Sequence, residues 1–385
     1  MTTPPLAKLL DSKPLYYTAF DPNRIVEAYK VIKNHIKKPN AVHIVGTNGK
    51  GSTGRALAHM AYKSGLRVGH FSSPHILDFK ERFWIDGRFA TIIELEEANK
   101  KLYALLGKDI AKALSYFEYQ ALLSFVLFEN FDLQVIEAGL GGEYDATSVI
   151  DYDITIFTPI AYDHSDFLGN DIKSIAKTKL NIMQNISIIA KQPYSEVLNI
   201  AKKIASDKKV KLVEFNTNKY ESLKKALFKP YPKYLKENIT LALMALDELK
   251  IDYNIASINS LEIFGRFYKL EPNIIIDVGH NSLAATAIEK ALSKKVNLIF
   301  NILNDKDYKE VLTILKPKIK ELQIIKIDTQ RATELKKIEN LLKELEIDYS
   351  YFKGEIEDNE EYLVFGSFYV VEEFLKTMGI KEIPV

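Results

Sequence analysis

The sequence has 385 residues, of which 47% are hydrophobic and 27% charged, and its formal net charge is +1 at pH 7. This length suffices for two domains, and so small a net charge gives no global field that favours nucleic acid or an anionic membrane. The absence of cysteine excludes disulfides and thiolate metal sites. No apolar run approaches about 20 residues and Met1–Pro5 lack signal-peptide character, so we expect a cytoplasmic protein.

Apolar runs alternate with helical patterns along the whole chain, which favours mostly parallel sheets covered by helices. Before a polar linker at 251–260, the patterns predict strands at 41–45, 66–71, 133–138, 154–160 and 186–190, and helices near 50–64, 91–106, 116–130, 171–184, 195–206 and 234–249. After it they predict strands at 273–277, 296–303, 322–328 and 362–366, and helices at 281–292, 307–320, 331–345 and 368–377. We therefore predict two α/β domains, 1–260 and a smaller one at 261–385.

A glycine-bracketed turn joins the strand at 41–45 to the helix that follows, and its sequence is Gly46-Thr47-Asn48-Gly49-Lys50-Gly51-Ser52-Thr53. Strand, glycine loop and helix in this order present backbone N–H groups and a positive helix N-terminus to an anion. Lys50 can reach terminal phosphates, and Ser52 or Thr53 can hold a magnesium ion. The spacing departs from the common phosphate loop, because the first glycine of that motif would fall at Ile44 and a glycine follows Lys50. The segment predicts a phosphate site, with a plain turn as the alternative.

Polar side chains follow neighbouring strands of the first predicted sheet. Ser73 comes after the strand at 66–71, Glu137 lies at the end of the next strand, and His164 follows the strand at 154–160. Ligands of parallel sheets bind outside the carboxyl ends of the strands, so these groups predict a magnesium site, although histidine is an unusual ligand for so hard a cation. Each has a structural alternative: a turn cap for Ser73, a lysine partner for Glu137 and an interior hydrogen bond for His164.

Lys179 lies in the middle of an apolar helix face, which is formed by Ile172, Ile175, Ala176, Ile182 and Met183. A buried lysine is costly unless it is paired, neutral or modified. Burial lowers the pKa of a lysine, and a neutral amine reacts with carbon dioxide to give a carbamate, which is anionic and can bind metal. The alternative is that Lys179 reaches solvent at the edge of this face.

The second predicted domain has one polar cluster around the strand at 273–277. Arg266 precedes this strand, Asp277 ends it and His280 begins the next helix. Arg266 can clamp a phosphate, and Asp277 and His280 can contact a nucleotide. An ordinary N-capping turn explains the Asp277 group equally well, and the acidic helix start at 305–307 needs no function to explain it.

Taken together, these segments resemble the folylpolyglutamate synthase/dihydrofolate synthase family within the ATP-dependent Mur ligase superfamily. The series runs across nearly the whole chain in the family's order, which makes it specific although no single motif is decisive. The matching segments are His43–Thr53, Ser72–His75 with Glu81-Arg82, Phe117-Glu118, Glu137–Gly142, Asp145–Thr147, Asp163-His164, Leu168-Gly169, Ile175-Ala176, Lys179, Asn238, Gly265-Arg266, Asp277 with His280-Asn281, Asp305–Asp307 and Gly366-Ser367.

The resemblance implies a P-loop-type ATPase domain followed by a Rossmann-like domain, with catalytic roles for Lys50, Glu137, His164 and Lys179. It implies one magnesium ion on Ser52, Ser73 and Glu137, and a second on Glu137, His164 and carbamylated Lys179. It implies that ATP binds to the loop Gly46–Thr53 and to Asn238, Arg266, Asp277 and His280, across the domain cleft. Phe117, Asp145 and Ala146 are implied to bind the acceptor substrate.

The reaction implied is ATP-dependent amide ligation by a monomer, in which L-glutamate attacks an acyl phosphate of dihydropteroate or of a reduced folate. Ser148, Val278-Gly279 and Ser282 depart from the family's usual residues, so substrate preference is the property left open. Two alternatives remain. A muramyl-peptide ligase is disfavoured by Gly51-Ser52. A non-catalytic nucleotide-binding switch would need the phosphate loop but not Glu137, His164 and Lys179 together.

Overall fold

The computed structural model describes residues 3–14, 21–163, 169 and 171–384. Its backbone divides into two units, which are described separately below. The first unit comprises Met1–Pro74, Phe79–Phe228 and Glu237–Leu261, and the second comprises His75–Asp78, Lys229–Lys236 and Glu262–Val385.

Within the described residues, the first unit forms an eight-stranded sheet in the order β4-β3-β2-β5-β1-β6-β7-β8. Its strands are β1 (Asn40–Val45), β2 (Val68–Phe71), β3 (Phe83–Ile85), β4 (Arg88–Phe89), β5 (Leu133–Glu137), β6 (Ile154–Phe157), β7 (Ile186–Ile189) and β8 (Lys211–Glu214). The six strands β2, β5, β1, β6, β7 and β8 pair with their neighbours in parallel. The strands β3 and β4 extend the sheet beyond β2 as an antiparallel edge. The predicted fold class is confirmed, with β3, β4 and β8 as strands that the patterns did not predict.

The helices up to the end of this unit are α1 (Leu6–Asp11), α2 (Pro22–Ile32), α3 (Lys50–Lys63), α4 (Ile92–Ala113), α5 (Tyr116–Leu127), α6 (Ile172–Leu180), α7 (Ser195–Lys208), α8 (Thr217–Ala226) and α9 (Lys233–Glu248). The helix predicted at 91–106 is longer than expected, because α4 continues through Gly107, where φ is 72° and the helix is kinked. Both α4 and α5 begin with a capping box, which satisfies the free N–H groups of their first turns.

The central strands are buried on both faces, which explains why their sequences are continuous apolar runs rather than alternating ones. The register pairs Ile44 with Glu137 and Val45 with Phe157, and Phe71 of β2 lies beside Ile136 of β5. The carboxyl ends of β2, β5, β1 and β6 therefore meet at one edge of the sheet. The segments that follow these strands carry the predicted site residues.

In the described part of the second unit, six strands form a sheet in the order β13-β12-β11-β14-β10-β9, in which only β9 is antiparallel to its neighbour. The elements are β9 (Tyr268–Glu271), β10 (Ile274–Asp277), α10 (Ser282–Ala291), β11 (Val296–Phe300), α11 (Tyr308–Leu315), β12 (Ile319–Ile324), α12 (Leu335–Glu344), β13 (Tyr349–Tyr351), β14 (Tyr362–Phe365) and α13 (Phe368–Thr377). Apolar clusters cover both faces of this sheet.

The helix predicted at 307–320 was too long. The structure ends α11 at Leu315, forms a short 3-10 turn at Lys316–Lys318 and begins β12 at Ile319. Pro317 explains the difference, because proline has no N–H to continue a helical hydrogen-bond ladder.

Among the helices in the described ranges, none combines the length and the apolar composition that crossing a membrane requires.

Candidate active site

The loop after β1 is fixed by main-chain contacts with the segment after β6. Thr47 N and Asn48 N donate hydrogen bonds to Pro159 O over 2.9 and 3.4 Å. Gly46 has a φ of 155°, and a Cβ atom there would lie 2.0 Å from Thr158 Oγ1, so this position requires glycine. The loop therefore has little freedom to move relative to the sheet.

The end of the loop is also the start of α3. Gly49 occupies the N-cap position with a φ of 91°, and no side chain of the described residues caps this helix start. The first N–H groups of a helix, here those of Lys50, Gly51 and Ser52, have no partner within the helix. Free N–H groups at a helix N-terminus, together with the helix dipole, favour an anion, and the phosphate-binding role of this loop stays a prediction.

Lys50 places its ammonium group over this loop. Its Nζ donates to Gly46 O and to Thr47 O, each over 3.3 Å, and lies 4.0 Å from Glu137 Oε1. The Lys50 cation therefore lies between the loop that leads into α3 and the end of β5.

Ser52 and Asn238 form a buried pair on the other side of the loop. Ser52 Oγ donates to Gly49 O over 3.1 Å and accepts from Asn238 Nδ2 over 2.8 Å, and the two side chains are almost completely buried. A Cβ atom on Gly49 would lie 2.7 Å from Asn238 Oδ1, so glycine is needed here as well. The amide of α9 thus orients the hydroxyl that the sequence predicts as a metal ligand.

Glu137 lies at the carboxyl end of β5 and is only 4% exposed. Its Oε2 accepts from Ser73 N over 3.4 Å, so the segment after β2 is anchored to the same carboxylate that faces Lys50. No group of three or more histidine, aspartate or glutamate side chains that could hold a metal occurs among the described residues. The donors present are instead hydroxyl and carboxylate oxygens beside a phosphate loop. This set fits magnesium, which typically binds one or two carboxylates together with substrate phosphates.

Lys179 projects from α6 into the same region. It is 4% exposed and its Nζ donates to Gly46 O over 3.1 Å, so it does not reach solvent at the edge of its helix. Burial, with a smaller effect from the nearby Lys50, lowers the pKa of Lys179 to about 7 against the opposing effect of Asp163 and Asp145. A substantial fraction of this amine is therefore neutral near pH 7, as reaction with carbon dioxide requires. His164, which was predicted as a ligand of the same metal ion, lies outside the described residues.

The glycine-rich segment after β5 packs directly against α6. A Cβ atom on Gly142 would lie 2.9 Å from both Cα and O of Lys179, so only glycine allows this approach. Glu143 N donates to Thr178 O over 3.0 Å and reinforces the contact. This packing fixes the part of the helix from which Lys179 projects.

The residues predicted to bind substrate are Phe117, which belongs to α5, and Asp145 and Ala146, which follow β5. The Phe117 ring lies 5.8 Å from that of Phe71, and its Cζ would be 2.5 Å from a Cβ on Gly139. Asp145 is buried, and its two carboxylate oxygens accept hydrogen bonds from Thr147 N, Thr147 Oγ1 and Leu140 N. Burial raises the pKa of Asp145, while these hydrogen bonds act to lower it. Ala146 follows it and is also buried.

Two further residues join this network, and the sequence analysis did not assign them a role. His43 Nε2 lies 2.8 Å from Thr147 Oγ1, and the His43 ring stacks on Tyr152 with centroids 4.3 Å apart. The sequence feature that could have identified His43 is its position as a polar residue within the apolar run of β1. Thr158 and Pro159 were also missed, although they directly follow a predicted strand.

In the second unit, Asp277 ends β10 and is buried. Its Oδ2 accepts from Tyr234 OH and Phe267 N, each over 2.8 Å, and its Oδ1 accepts from Gly279 N over 2.7 Å. Burial raises the pKa of Asp277, against the opposing effect of Arg266. The Arg266 guanidinium lies over the Phe368 ring, 5.1 Å from its centroid.

His280 lies close to the same strand end, with Nδ1 3.2 Å from Val278 O. Arg266, Asp277 and His280 are thus grouped at one end of β10. Their role in ATP binding stays a prediction.

Comparison with known proteins shows the family. Residues 44–257 match the model of the Mur ligase middle domain. Over 375 residues the chain is 30% identical to the dihydrofolate synthase/folylpolyglutamate synthase of Buchnera aphidicola subsp. Schizaphis graminum, covering 88% of this chain and 87% of the relative. This chain belongs to the dihydrofolate synthase/folylpolyglutamate synthase family. The resemblance stated from its motifs is confirmed.

Solved structures agree with this family assignment. The folylpolyglutamate synthetase of Helicobacter pylori is 38% identical, with a TM-score of 0.75 over 97% of this chain and 98% of the other. Escherichia coli FolC in complex with DHPP and ADP is 26% identical, with a TM-score of 0.83 over 98% of each chain. A family member from Yersinia pestis, 25% identical over 98% of each chain with a TM-score of 0.84, was solved with AMPPNP and Mn ion.

Proposed function

We propose that this chain is an ATP-dependent ligase that joins L-glutamate to a carboxylate of dihydropteroate or of a reduced folate. The observation that carries the proposal is the convergence of two lysines on one loop. Lys50 Nζ and Lys179 Nζ lie 3.3 and 3.1 Å from Gly46 O, and Lys50 is also 4.0 Å from Glu137. A nucleotide-binding switch needs the first lysine but has no use for a second, buried one with a lowered pKa.

The relatives support the chemistry. Curated relatives carry the name of both synthase activities, and solved relatives hold ADP with DHPP or AMPPNP with Mn ion. In this chain, Ser52, Ser73 and Glu137 would hold one divalent ion, and Glu137, His164 and the carbamate of Lys179 would hold a second. Such ions supply positive charge between two anionic reactants, the phosphate and the carboxylate.

The chain's own groups account for the binding and orientation of ATP. The N–H groups at the start of α3 and the Lys50 ammonium bind the phosphates, and the anchored loop keeps these donors in position before the reaction. An acceptor carboxylate oxygen attacks the γ-phosphorus, the bond to the bridging oxygen breaks, and ADP leaves. The charge that develops on the phosphoryl group is stabilised by Lys50.

The product of this step is an acyl phosphate. The amine of L-glutamate attacks its carbonyl carbon, the bond to the phosphate oxygen breaks, and inorganic phosphate leaves. The amine proton leaves to solvent or phosphate, since none of the described side chains is assigned as a general base. The result is an amide, and each turnover consumes one ATP.

We propose both acceptors for this single site, because the relatives are named for both activities. Dihydropteroate as acceptor makes the chain a dihydrofolate synthase, and a reduced folate makes it a folylpolyglutamate synthase. All residues invoked belong to one chain, and we propose a monomer as the active species.

The test is acceptor-dependent ADP release by the purified protein with ATP, Mg²⁺ and L-glutamate. Parallel reactions contain dihydropteroate, tetrahydrofolate or a UDP-muramyl peptide, and mass spectrometry records the product. We expect ADP and a product heavier by one glutamyl residue with the first two acceptors. Activity with the muramyl peptide alone would assign the chain to the other ligase class, and ATP binding without any acceptor-dependent turnover would support the switch.

A further inference from the structure

Gln192 is a partly buried glutamine to which neither the sequence analysis nor the proposed reaction assigns a role. It lies in the segment that follows β7, and its side chain bonds only to main-chain groups. Its Oε1 accepts from Ile160 N over 2.9 Å, and its Nε2 donates to Ala190 O over 3.1 Å and to Thr158 O over 3.4 Å. The amide of Gln192 therefore joins the segment after β7 to the segment after β6.

Pro159 explains why a side chain is needed at this point. The parallel ladder between β6 and β7 ends where Ala190 N donates to Phe157 O over 2.8 Å. In a regular parallel ladder, Ala190 O would next accept from the N–H two residues beyond Phe157, which is position 159. Proline has no N–H, and Gln192 Nε2 donates to Ala190 O in its place. The Gln192 amide thus continues the pairing beyond the point that main-chain groups alone can reach.

The segment that Gln192 holds also supports the loop after β1. Pro159 O accepts from Thr47 N and Asn48 N over 2.9 and 3.4 Å. Thr47 Oγ1 donates to Ala161 O and accepts from Ala161 N, each over 3.1 Å. Residues 158–161 are therefore bonded both to Gln192 and to the loop, and a change at Gln192 can reach the loop through them.

We propose that Gln192 is a positioning residue for nucleotide binding, which acts through residues 158–161 on the loop after β1. The role rests on the proposed function, because it requires this loop to bind the phosphates of ATP. Donors stabilise a phosphate best when they are held in position before the nucleotide arrives. Without the Gln192 amide, Ile160 N would lose its acceptor and Ala190 O its donor, so residues 158–161 and the loop would gain freedom.

The experiment compares wild type with Gln192→Met and with the control Gln184→Met. Methionine is flexible and close to glutamine in size, but it makes neither hydrogen bond. Gln184 is also partly buried and precedes β7, so it lies at the opposite end of this strand from residues 158–161. Gln192→Asn, with an amide one methylene shorter, is the second variant. The rings of Tyr162 and Tyr194 also join the two segments, with centroids 5.5 Å apart, so we expect both variants to fold.

Four measurements are made on each protein. Calorimetric titration with AMPPNP and Mg²⁺, without any acceptor, gives the nucleotide Kd. Hydrogen exchange followed by mass spectrometry reports on the peptides that cover residues 44–50 and 158–161. Steady-state assays give kcat and the KM of MgATP and of the acceptor, and thermal unfolding gives Tm.

We expect Gln192→Met to raise the Kd of MgAMPPNP and the KM of MgATP by about threefold to tenfold, as for one or two neutral hydrogen bonds. The KM of the acceptor should stay within about twofold of wild type, because the acceptor does not contact this loop support. Exchange should become faster in both peptides, while peptides of α5 and of the second unit keep the wild-type rate. Gln192→Asn should behave like Gln192→Met, and Gln184→Met like wild type.

A double-mutant cycle with Thr47→Val tests the route of this effect. Valine has the shape of threonine but removes both hydrogen bonds between Thr47 Oγ1 and Ala161. In the Thr47→Val background, the loss from Gln192→Met should shrink to about twofold or less, because part of the link is already broken. Equal losses in both backgrounds would overturn the route through residues 158–161.

Other outcomes overturn the role of Gln192. An unchanged nucleotide Kd in both variants would do so, and so would an acceptor KM that rises as much as that of MgATP, since this would show a general loss of structure. The wild type supplies a test that needs no variant: MgAMPPNP should slow exchange at 158–161 as well as at 44–50, and protection of 44–50 alone would contradict the link.

Failure of the role and failure of the proposed function can be told apart. Acceptor-dependent turnover that is insensitive to Gln192 overturns the role alone. Gln192-dependent binding of MgAMPPNP without turnover on any acceptor overturns the ligase function alone. Wild type that binds no MgAMPPNP overturns both.

Discussion

Lys179 Nζ donates a hydrogen bond to Gly46 O over 3.1 Å, joining a buried helix face to the first glycine of the phosphate loop. The carbonyl oxygen of Gly46 also accepts from Lys50 over 3.3 Å. Two ammonium groups on one carbonyl repel each other, which is one of the reasons why the pKa of Lys179 is lowered to about 7. The geometry therefore keeps one lysine available for carbamylation beside the other.

We expect Lys179→Ala to reduce kcat by about a hundredfold or more, because the second metal site would lose one of its two anionic ligands. ATP binding should be retained, since Lys50 and the start of α3 are unchanged. Added short carboxylic acids should restore part of the turnover by replacing the carbamate. The measurement is ADP release with and without acetate, together with nucleotide affinity.

Lys177→Ala is the matched control, because Lys177 lies on the exposed side of the same helix. It should keep wild-type turnover and show no response to acetate. Full activity of Lys179→Ala would contradict the assigned role.

The amide of Asn238 holds the Ser52 hydroxyl through a 2.8 Å hydrogen bond. We expect Asn238→Ala to raise the KM for MgATP by about fivefold, as for one lost hydrogen bond, while the KM for the acceptor is unchanged. Asn254→Ala is a suitable control, because the Asn254 side chain accepts a hydrogen bond from Ala256 N at the start of a turn. An acceptor KM that rises together with that of MgATP would show a general loss of structure instead.

Much of this arrangement could be predicted from sequence, because its signals are local. The apolar run of β1, the glycines after it and the helical stripe around Lys179 each fix an element and a face without distant partners. No strand order was predicted, and it is the parallel pairing of β1 with β5 in the structure that brings the end of β5 beside the start of α3. These predictions used periodicity and turn chemistry alone.

Other features depend on partners that are far away in the sequence. The requirement for glycine at position 46 comes from Thr158, more than a hundred residues later, and no local pattern encodes it. The contact between His43 and Thr147 likewise joins residues more than a hundred positions apart, whereas the substrate role of Asp145 stays a prediction.

The hydrogen bonds of Asp145 lead to a prediction that distinguishes a structural role in its loop from direct contact with the substrate. If Asp145 holds the loop in shape, Asp145→Asn should lower the free energy of unfolding by about 1–3 kcal/mol, because an amide N–H would face a backbone N–H. The KM for the acceptor and kcat should then change together. Thermal unfolding and acceptor titrations measure both.

Asp153→Asn is the control, because Asp153 is only partly buried, accepts from one backbone group, Ala41 N, and has its other charged neighbour, Lys38, 3.9 Å away. It should have a smaller effect on stability and none on the acceptor. A raised acceptor KM in Asp145→Asn with unchanged thermal unfolding would instead support direct substrate contact.

Buried His43 leads to a prediction about pH. Burial lowers its pKa to about 3 in the folded protein, whereas an unfolded histidine titrates near 6.5. Below pH of about 6.5 the unfolded chain therefore binds a proton that folded His43 does not. Its stabilising effect is complete above that pH and is lost progressively as the pH falls towards 3. The expected slope is at most about 1.4 kcal/mol of unfolding free energy per pH unit.

Urea unfolding at several values between pH 7 and pH 5 measures this slope. His43→Gln should be less stable at pH 7 but should show a shallower loss on acidification, because it no longer titrates. Tyr152→Phe is the control: it keeps a ring against His43 and loses the hydrogen bond from Tyr152 OH to Thr147 O, 2.6 Å long. It should be less stable at every pH with the wild-type slope. An unchanged slope in His43→Gln would show that His43 does not contribute to the acid sensitivity of the fold.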